Sequence, residues 1–511
     1  MKQCVSLCMI VRDEEANLSG CLEGIAGLFD EIIVVDTGST DATKQVARRF
    51  GAKVFDFPWI DDFAAARNES RRYATGQWIF WLDADDRVDS INRARLAKVI
   101  ESLPEVSDQR NPVFGVYCNC SMPDFSDAGV FVTHGRLFPN RPDLQWTGRI
   151  HERLVPTPGG SIIELIQTDV TIHHEGYADQ VHRARKIQRN ARLIEHEYLL
   201  DPDDPMTLFY LARQRLWAGR YDDCYRLARR SIENDPRNVL PTTPQCFVMA
   251  ADCRFKTRRI EEAVAVTEEG LKRCPDHMGI VHQRGCFLRE LRRLDEATAC
   301  LERVVGTERD ALVRSGMHVE TQLPIARLTL GNIYREQQKF IAAERQFRHV
   351  IAMQPQCAEA HFLLGHLLLW LGRHNEAQEF IATLERMAGA EYERAMLEGL
   401  ARYYRRDLSA GCRWIEAAIS LRPEKTYSWI VLSLLLFQSG HDWDRCRTVH
   451  EKVLAMDPRQ SEVRQRLEEV KAVLAKKAAR AAAGDDLAPA DHSGVMCIVG
   501  GGHGGRLSHF C

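Results

Sequence analysis

Short apolar runs alternate with amphipathic stretches from residue 5 to about residue 176. The runs are rich in β-branched and aromatic residues, and they lie at 5–11, 31–36, 53–57 and 78–83. Residues 18–29 and 40–50, which lie between runs, have the spacing of amphipathic helices. Strands that alternate with helices are typical of βα units around a mostly parallel sheet. The pattern therefore predicts an α/β domain.

A helical and repetitive pattern follows, from about residue 178 to residue 476. A six-residue motif recurs at 219–224, 258–263, 292–297, 338–343 and 372–377. It begins with glycine, arginine or glutamine followed by a basic residue, and the next residues, which often include acids, have the character of a helix start. Ala263 and Ala297 are 34 residues apart, as are Ala343 and Ala377, and this is the tetratricopeptide period. The pattern predicts an all-α tetratricopeptide-like solenoid. The repeat number stays open, because two intervals are longer and residues 388–423 match poorly.

These patterns divide the chain into four segments. We expect an α/β domain at 1–180, a connecting helix at 181–205, a tetratricopeptide-like repeat domain at 206–475 and a flexible tail at 476–511. The tail contains a glycine-rich stretch at 500–505. Neither a preceding strand nor a following Lys-Ser/Thr supports a phosphate loop there.

Composition excludes several classes of protein. Of 511 residues, 45% are hydrophobic and 27% charged, which is ordinary globular usage. The formal net charge of -3 gives no reason to expect a nucleic-acid partner. The longest apolar stretch, 429–437, is short of the roughly 18 residues of a membrane span. The N-terminal apolar run is too short for a signal peptide and the 16 cysteines are scattered, so we expect a cytoplasmic protein with reduced thiols.

An acidic cluster follows the fourth predicted strand. Its members are Asp83, Asp85 and Asp86. Neighbouring carboxylates repel one another, and a divalent cation such as Mg²⁺ or Mn²⁺ relieves that repulsion while keeping positions for phosphate oxygens. The cluster therefore predicts a metal site suited to a diphosphate-linked donor. Alternatively, acidic residues simply begin a helix.

A second polar cluster follows the second predicted strand. Asp36 is placed to accept hydrogen bonds from a base or ribose, and Gly38 permits a tight turn. An ordinary strand-to-helix turn is the alternative. Because ligands bind at the carboxyl ends of strands in open α/β sheets, both clusters should lie in one crevice.

Four ordered motifs resemble glycosyltransferase family 2, and they are 6–15, 33–41, Arg67-Asn68 and 81–86. The resemblance covers roughly residues 4 to 180. It implies a GT-A fold, a nucleoside-diphosphate sugar donor and inversion at the anomeric carbon. It also implies donor contacts at Asp36, Arg67 and Asp83 and metal ligands at Asp85 and Asp86. Many members carry a second acid where this chain has Thr37, which leaves the preference for uracil open.

Later phrases at 135–140, 146–152 and 172–177 look like the branch that includes lipopolysaccharide-core glucosyltransferases and peptide S-glycosyltransferases. That branch is often joined to tetratricopeptide repeats. The resemblance implies a glycan or a peptide as the acceptor.

An inverting transfer needs a base that takes the proton of the acceptor. Glu152 is the candidate, with a salt bridge or a helix start as the alternative role. His173 or His174 could add a metal ligand, and we favour His174; a histidine pair satisfied by backbone groups is equally open. Arg136 could hold phosphate and Trp146 could support a sugar ring, or both could serve packing.

The sequence therefore predicts a metal-assisted, inverting hexosyltransferase. The donor would be a UDP-sugar, and the repeats would recognise the acceptor or form a homodimer. One alternative is a repeat scaffold with a degenerate transferase domain. Another is nucleotidyl transfer, which would usually require a glycine-rich phosphate loop near the first strand that residues 11–15 do not provide.

Overall fold

The computed structural model describes residues 3–107, 110–120, 130–175, 180–238, 240–315, 317 and 319–482. Two compact units divide the chain. The first comprises Met1–Phe287 and Arg309–Thr321, and the second comprises Leu288–Glu308 and the described residues from Gln322 onward. Most of the predicted tail, residues 483–511, lies outside the described residues. These two units are defined by which residues pack together. They do not test the four predicted segments, whose bounds stay a prediction.

The strands belong to the first unit. They are β1 (Val5–Val11), β2 (Glu31–Asp36), β3 (Lys53–Asp56), β4 (Trp78–Trp81), β5 (Asp86–Arg87), β6 (Asn111–Cys120), β7 (Val130–Pro139), β8 (Leu144–Thr147), β9 (Arg153–Pro156) and β10 (Ile163–His174). Eight form one sheet in the order β3-β2-β1-β4-β7-β6-β10-β5, and β8 pairs with β9. The strands β1 to β4 are parallel to their neighbours in this group, whereas β7 is antiparallel to β4 and β6. The predicted parallel α/β arrangement is confirmed for this part of the sheet.

Four helices connect the strands of the first half of this unit. They are α1 (Glu15–Gly24), α2 (Thr43–Arg49), α3 (Phe63–Arg72) and α4 (Ser90–Glu101). The first ends earlier than predicted, and Gly27 in the turn that follows it is left-handed with φ of 75°. Helix α3 was not predicted. It begins after Asp62, whose carboxylate accepts a hydrogen bond of 2.8 Å from Ala65 N and so caps the helix.

Alternating residues of the central strands pack on opposite faces of the sheet. Leu7 and Met9 join one apolar cluster with Leu18 and Leu22 of α1. Cys8 of the same strand joins the cluster on the other face, which also holds residues of β4, β7 and β8. Burial on both faces fits a strand that is almost continuously apolar. The strand ends, where polar residues begin, are therefore the places where chemistry can be exposed.

All regular structure from residue 180 to residue 482 that the structure describes is helical. The helices are α5 (Gln180–Leu200), α6 (Pro205–Trp217), α7 (Tyr221–Glu233), α8 (Thr243–Lys256), α9 (Ile260–Arg273), α10 (Met278–Glu290), α11 (Leu294–Val305), α12 (Arg309–Arg314), α13 (Val319–Glu336), α14 (Phe340–Met353), α15 (Ala358–Trp370), α16 (His374–Arg386), α17 (Glu391–Tyr404), α18 (Leu408–Leu421), α19 (Thr426–Ser439), α20 (Trp443–Met456) and α21 (Ser461–Ala482). This confirms the predicted all-α solenoid. Among these described helices, none combines the length and apolar character that a membrane crossing requires.

The recurring six-residue motif marks the turn between two helices. The residue two positions before each new helix is left-handed, whether it is glycine or not: Gly219, Arg258, Arg292, Gln338 and Gly372 have φ between 61° and 75°. Arg406 has the same conformation, with φ of 65°, directly before α18. The poorly matching stretch 388–423 therefore forms a helix pair of the same kind, α17 and α18.

Small residues let neighbouring helices of the second unit approach closely. A Cβ atom on Gly331 would lie 2.5 Å from a ring carbon of Phe347, and one on Gly365 would lie 2.5 Å from a methyl carbon of Leu397. Such distances are shorter than any ordinary contact. Gly331 and Gly365 therefore allow a helix approach that a larger side chain would prevent.

Candidate active site

A cavity of about 620 Å³ opens within the first unit, beyond the carboxyl ends of β1, β2 and β4. The predicted site residues that line it are Arg67, Asp83, Asp85, Glu152 and His174. Asp36 and Asp86 do not line it, and each is at most 1% exposed. The structure thus brings the motifs to one crevice, but it places two of the carboxylates behind its wall.

Asp36 holds the turn that follows β2. Its Oδ2 accepts hydrogen bonds from Gly38 N at 3.1 Å and Ser39 N at 2.9 Å, and Lys44 Nζ lies 3.6 Å away. Its Oδ1 is buried and lacks a hydrogen-bond partner within the described part of the chain. Thr37, the next residue, lines the cavity. A contact between Asp36 and a nucleoside stays a prediction, for which Oδ1 is the available atom.

Arg67 of α3 joins two carboxylates of the cavity wall. Its Nη2 donates to Asp83 Oδ1 at 3.1 Å, and its Nε donates to Glu152 Oε1. The guanidinium lies over the ring of Trp81, 3.9 Å from the ring centroid. Burial opposes the charge of Arg67, but Glu152 and Asp83 raise its pKa. Arg67 therefore orients Asp83 and Glu152 as well as facing the cavity.

The carboxylate of Asp83 is kept in its ionised form by neighbouring arginines. Burial acts to raise the pKa of Asp83, but Arg67 and Arg136 outweigh it and hold the pKa well below its usual range. The side chain remains one-third exposed toward the cavity. It is therefore an ionised and accessible carboxylate, as a donor or metal contact requires.

Asp86 is a buried structural carboxylate. Its Oδ2 accepts hydrogen bonds from Arg136 Nη1 at 2.7 Å and Asp83 N at 2.9 Å, and His174 Nδ1 lies 3.0 Å from Oδ1. Burial would raise the pKa of Asp86, but Arg136 and the His174 contact lower it. Arg136, at 1% exposure, also lies over the Trp81 ring and does not line the cavity. Of the two roles considered for Arg136, packing therefore fits its position better than phosphate binding. Metal binding by Asp86 stays a prediction.

Asp85 faces two cationic partners from other elements. Lys186 Nζ of α5 lies 2.9 Å from Asp85 Oδ2, and His174 Nδ1 of β10 lies 3.4 Å from Asp85 Oδ1. His173, the other candidate imidazole, instead lies 3.3 Å from Asp89 and is 41% exposed. Of the two histidines, His174 is therefore the one in the acidic cluster.

The donor atoms of the cluster fit a divalent cation. One ligand atom each from Asp83, Asp85, Asp86 and His174 lie within 4.8 Å of one another. Carboxylate oxygens suit Mg²⁺, and a mixed set with imidazole also suits Mn²⁺. The cluster could hold a metal, and the choice of ion stays a prediction. Repulsion among these carboxylates is already reduced without a metal, because Arg67, Lys186 and Arg136 each pair with one of them.

His174 carries a proton in this arrangement. Burial acts to lower its pKa, but the hydrogen bond to Asp86 and the charge of Asp85 raise it to about 9. An imidazole binds a metal only in its neutral form. Metal binding through His174 would therefore release a proton.

Aromatic rings form another wall of the cavity. Trp146 is held by Asn68, whose side chain bonds both the backbone N and O of Trp146 at 2.9 Å. Trp146 meets Trp81 edge to face, with ring centroids 5.7 Å apart. Both rings line the cavity, as does His134. The wall could support a sugar ring.

Helices α5 and α6 supply residues that the sequence analysis assigned elsewhere. Lys186, Arg189 and Asn190 of α5 line the cavity, and so does Tyr210 of α6. Tyr210 stacks on His151 with centroids 3.5 Å apart, directly beside Glu152. The signal in the sequence was the spacing of three between Lys186 and Arg189, which puts two cations on one helix face. That signal says nothing about which surface the face meets.

Two family models match the chain. "Glycosyl transferase family 2" matches residues 6–135 and "Tetratricopeptide repeat" matches residues 334–397. The chain thus carries a glycosyltransferase family 2 domain in its N-terminal part, followed by tetratricopeptide repeats. This confirms the resemblance drawn from the motifs.

Similar proteins include a repeat-containing protein and several glycosyltransferases. The chain is 32% identical over 212 residues to a TPR repeat-containing protein of Synechococcus elongatus, covering 39% of this chain and 49% of that protein. It is 27% identical over 236 residues to the SPbeta prophage-derived glycosyltransferase SunS of Bacillus subtilis, covering 44% and 52%. An uncharacterized glycosyltransferase of Rickettsia felis is 26% identical over 212 residues, covering 37% and 74%. The chain spans about half the length of the first two relatives.

Proposed function

We propose that this chain is an inverting glycosyltransferase that moves a sugar from a nucleoside-diphosphate donor, a UDP-sugar in the first instance, to a glycan or peptide acceptor with the help of Mg²⁺ or Mn²⁺. The observation that carries the proposal is the cavity itself. It joins the acidic cluster, a candidate base and an aromatic wall at the carboxyl ends of the parallel strands. The match to glycosyltransferase family 2 and the similarity to SunS support the same class of reaction.

The donor half of the proposed site is built from Asp36, Arg67, Asp83 and Asp85. Asp83 and Asp85 would hold the divalent cation and the donor together with His174. When bound, that cation would neutralise charge on the departing diphosphate. Thr37 lines the cavity where a nucleoside would lie, and Asp36 lies directly behind that part of the wall. Arg67 keeps Asp83 ionised and oriented.

The acceptor half is built around Glu152. Arg67 engages its Oε1, and we assign Oε2 to the proton of the attacking acceptor atom. Inversion requires that this atom approach from the face of the sugar opposite the diphosphate. His151 and Tyr210, stacked beside Glu152, would form the adjoining acceptor surface. The tetratricopeptide repeats suggest a protein partner, which supports a peptide as one acceptor class.

Donor hydrolysis by the purified full-length chain tests the proposal. A panel of UDP-, GDP- and ADP-sugars is incubated with Mg²⁺, Mn²⁺ or EDTA, and nucleotide release is measured together with calorimetric binding. We expect release from one donor class that requires metal. Asp85→Asn should lower it by about 100-fold or more, since it removes a charged ligand of the cation that would neutralise the departing diphosphate.

Two further variants separate binding from chemistry. Glu152→Gln should retain nucleotide binding yet lose hydrolysis, because it keeps the shape of the side chain but not its basicity. Asp169→Asn removes the same charge at an exposed site outside the cavity, where Asp169 pairs with Arg95, and should behave as wild type. If the wild-type chain neither binds nor hydrolyses any nucleotide sugar with metal present, the proposal is wrong and the repeat-scaffold alternative replaces it.

A further inference from the structure

Lys186 is the basic residue of α5 that enters the acidic cluster. Its Nζ lies 2.9 Å from Asp85 Oδ2, and its side chain is about one-third exposed and lines the cavity. The pair joins two elements that are 101 residues apart in the chain. The region that matches the family 2 model ends at residue 135, before this helix.

A second carboxylate, that of Glu14 at the start of α1, lines the same cavity as Lys186. Burial raises the pKa of Glu14, the charge of Asp85 raises it further, and the charge of Lys186 lowers it. The positive charge of Lys186 therefore acts on both acids and opposes the repulsion between them.

The position of the Lys186 ammonium group beside Asp85 would oppose the binding of a cation by Asp85. A divalent ion at the cluster would bring positive charge against the ammonium group of Lys186, which has a flexible stem and rotatable donors. That repulsion would favour pairing of the ammonium group with an anion other than Asp85. The donor's diphosphate is the anion that the proposed function brings to this cavity, and Lys and Arg are the usual side chains that bind phosphate oxygens.

We infer that Lys186 exchanges partners during the catalytic cycle, pairing with Asp85 when the cluster holds no metal and with the diphosphate of the donor when it does. This inference rests on the proposed function and extends it. Lys186 is then both an internal stand-in for the metal and a donor-binding residue.

The two roles have opposite consequences when the charge is removed. Without Lys186, Asp85 has one competing cation fewer, so metal alone should bind more tightly. The diphosphate of a nucleotide loses a partner, so the nucleotide should bind less tightly once the metal is present. A merely structural lysine would not shift the two affinities in opposite directions.

Calorimetry on the full chain measures both affinities. The probes are Mn²⁺ alone, and UDP or GDP in saturating Mn²⁺. For Lys186→Met we expect Mn²⁺ to bind about threefold or more tightly and the nucleoside diphosphate about tenfold more weakly, the size expected of one charge-assisted contact. Lys186→Arg keeps the charge and should stay within about threefold of wild type in both.

Arg192→Met is the matched control. It removes one positive charge from the same helix, where Arg192 is 67% exposed and pairs with Asp61 at 2.8 Å, and it should leave both affinities unchanged. If Lys186→Met leaves both affinities unchanged, or weakens both, while wild type binds Mn²⁺ and nucleotide, only this inference fails. If wild type binds neither Mn²⁺ nor nucleoside diphosphate, the proposed function fails and the inference with it.

Discussion

The two units of the chain handle charge in different ways. In the first unit, Arg136 and Asp86 form an ion pair in which both side chains are at most 1% exposed. In the second unit, the cluster of Glu344, Arg348 and Arg373 lies at the surface, with both arginines more than one-third exposed. Close packing there depends on apolar contacts such as Gly331 against Phe347. Fixed charges suit a site that binds charged ligands, whereas complementary shape lets stacked helices approach closely.

Removing one partner of the buried pair should have the largest effect. Arg136→Met leaves Asp86 buried without its guanidinium partner, and we expect a loss of about 3 to 5 kcal/mol in the first unit. Hydrogen exchange of peptides from β4, β7 and β10 measures it, with peptides of α13 to α20 as the internal reference. Arg136→Met combined with Asp86→Asn should recover part of the loss. If the single variant is as stable as wild type, this charge pair is not what stabilises the end of the sheet.

Overpacking should have the next largest effect, and in the second unit. A Cβ atom on Gly399 would lie 2.5 Å from Ile415 Cδ1 and 3.3 Å from the backbone oxygen of Gly411. Gly399→Val should therefore cost about 2 kcal/mol, since overpacking costs about 1 to 3 kcal/mol. Hydrogen exchange in α17 and α18 should rise while donor hydrolysis stays the same. Arg402→Val, a partly exposed site on α17, is the control, and an equal loss in both variants would indicate helix propensity instead of packing.

The smallest effect concerns the pH dependence of stability, and it is tested with one glutamate from each unit. Glu31 at the start of β2 accepts hydrogen bonds from Lys53, Ser6 and Thr75, and these lower its pKa to about 2 although burial acts to raise it. A lowered pKa stabilises the fold above the unfolded pKa, and that contribution is lost as pH falls from about 5 toward 2. Glu31→Gln should cost about 1 to 2 kcal/mol at pH 7 and progressively less below about pH 5.

Glu344 provides the contrast. Its pKa is also lowered, since hydrogen bonds from Arg373 and Arg348 outweigh burial, but its partners are exposed. Glu344→Gln should cost less than about 0.5 kcal/mol, as exposed ion pairs do. Urea denaturation at pH 7 and pH 4 measures both variants. A larger cost at pH 4 than at pH 7 for Glu31→Gln would contradict the assignment.

Periodic patterns in the sequence predicted most of the fold. The strands at 5–11 and 31–36 were predicted with the bounds that the structure has, because buried parallel strands are continuous apolar runs. Helix α3 was not predicted, since Phe63 is the single large apolar residue among its ten. The helix pair at α17 and α18 was also missed, because Gly411 stands at the position where four of the five copies of the recurring motif have alanine.

The site was predicted only in part, for a physical reason. Strand-end motifs indicated Asp83 and Asp85, because the topology of parallel strands fixes where their ends meet. The roles of Arg136 and Lys186 depend on contacts across 50 and 101 residues. Such contacts follow from tertiary packing, which local spacing does not encode. Asp86 was indistinguishable from its neighbours in sequence, yet in the structure Asp83 and Asp85 line the cavity and Asp86 does not.

The left-handed turns have a consequence for how such an array diversifies. Arg258, Arg292, Gln338 and Arg406 adopt a backbone conformation that favours glycine. The two helices on either side of each turn impose that conformation, so the identity of the residue matters little. Substitutions can therefore remove the recognisable residues of a repeat while the geometry of its turn stays the same. In these helices, the spacing of the turns is a more durable mark of the repeat than the identity of the turn residue.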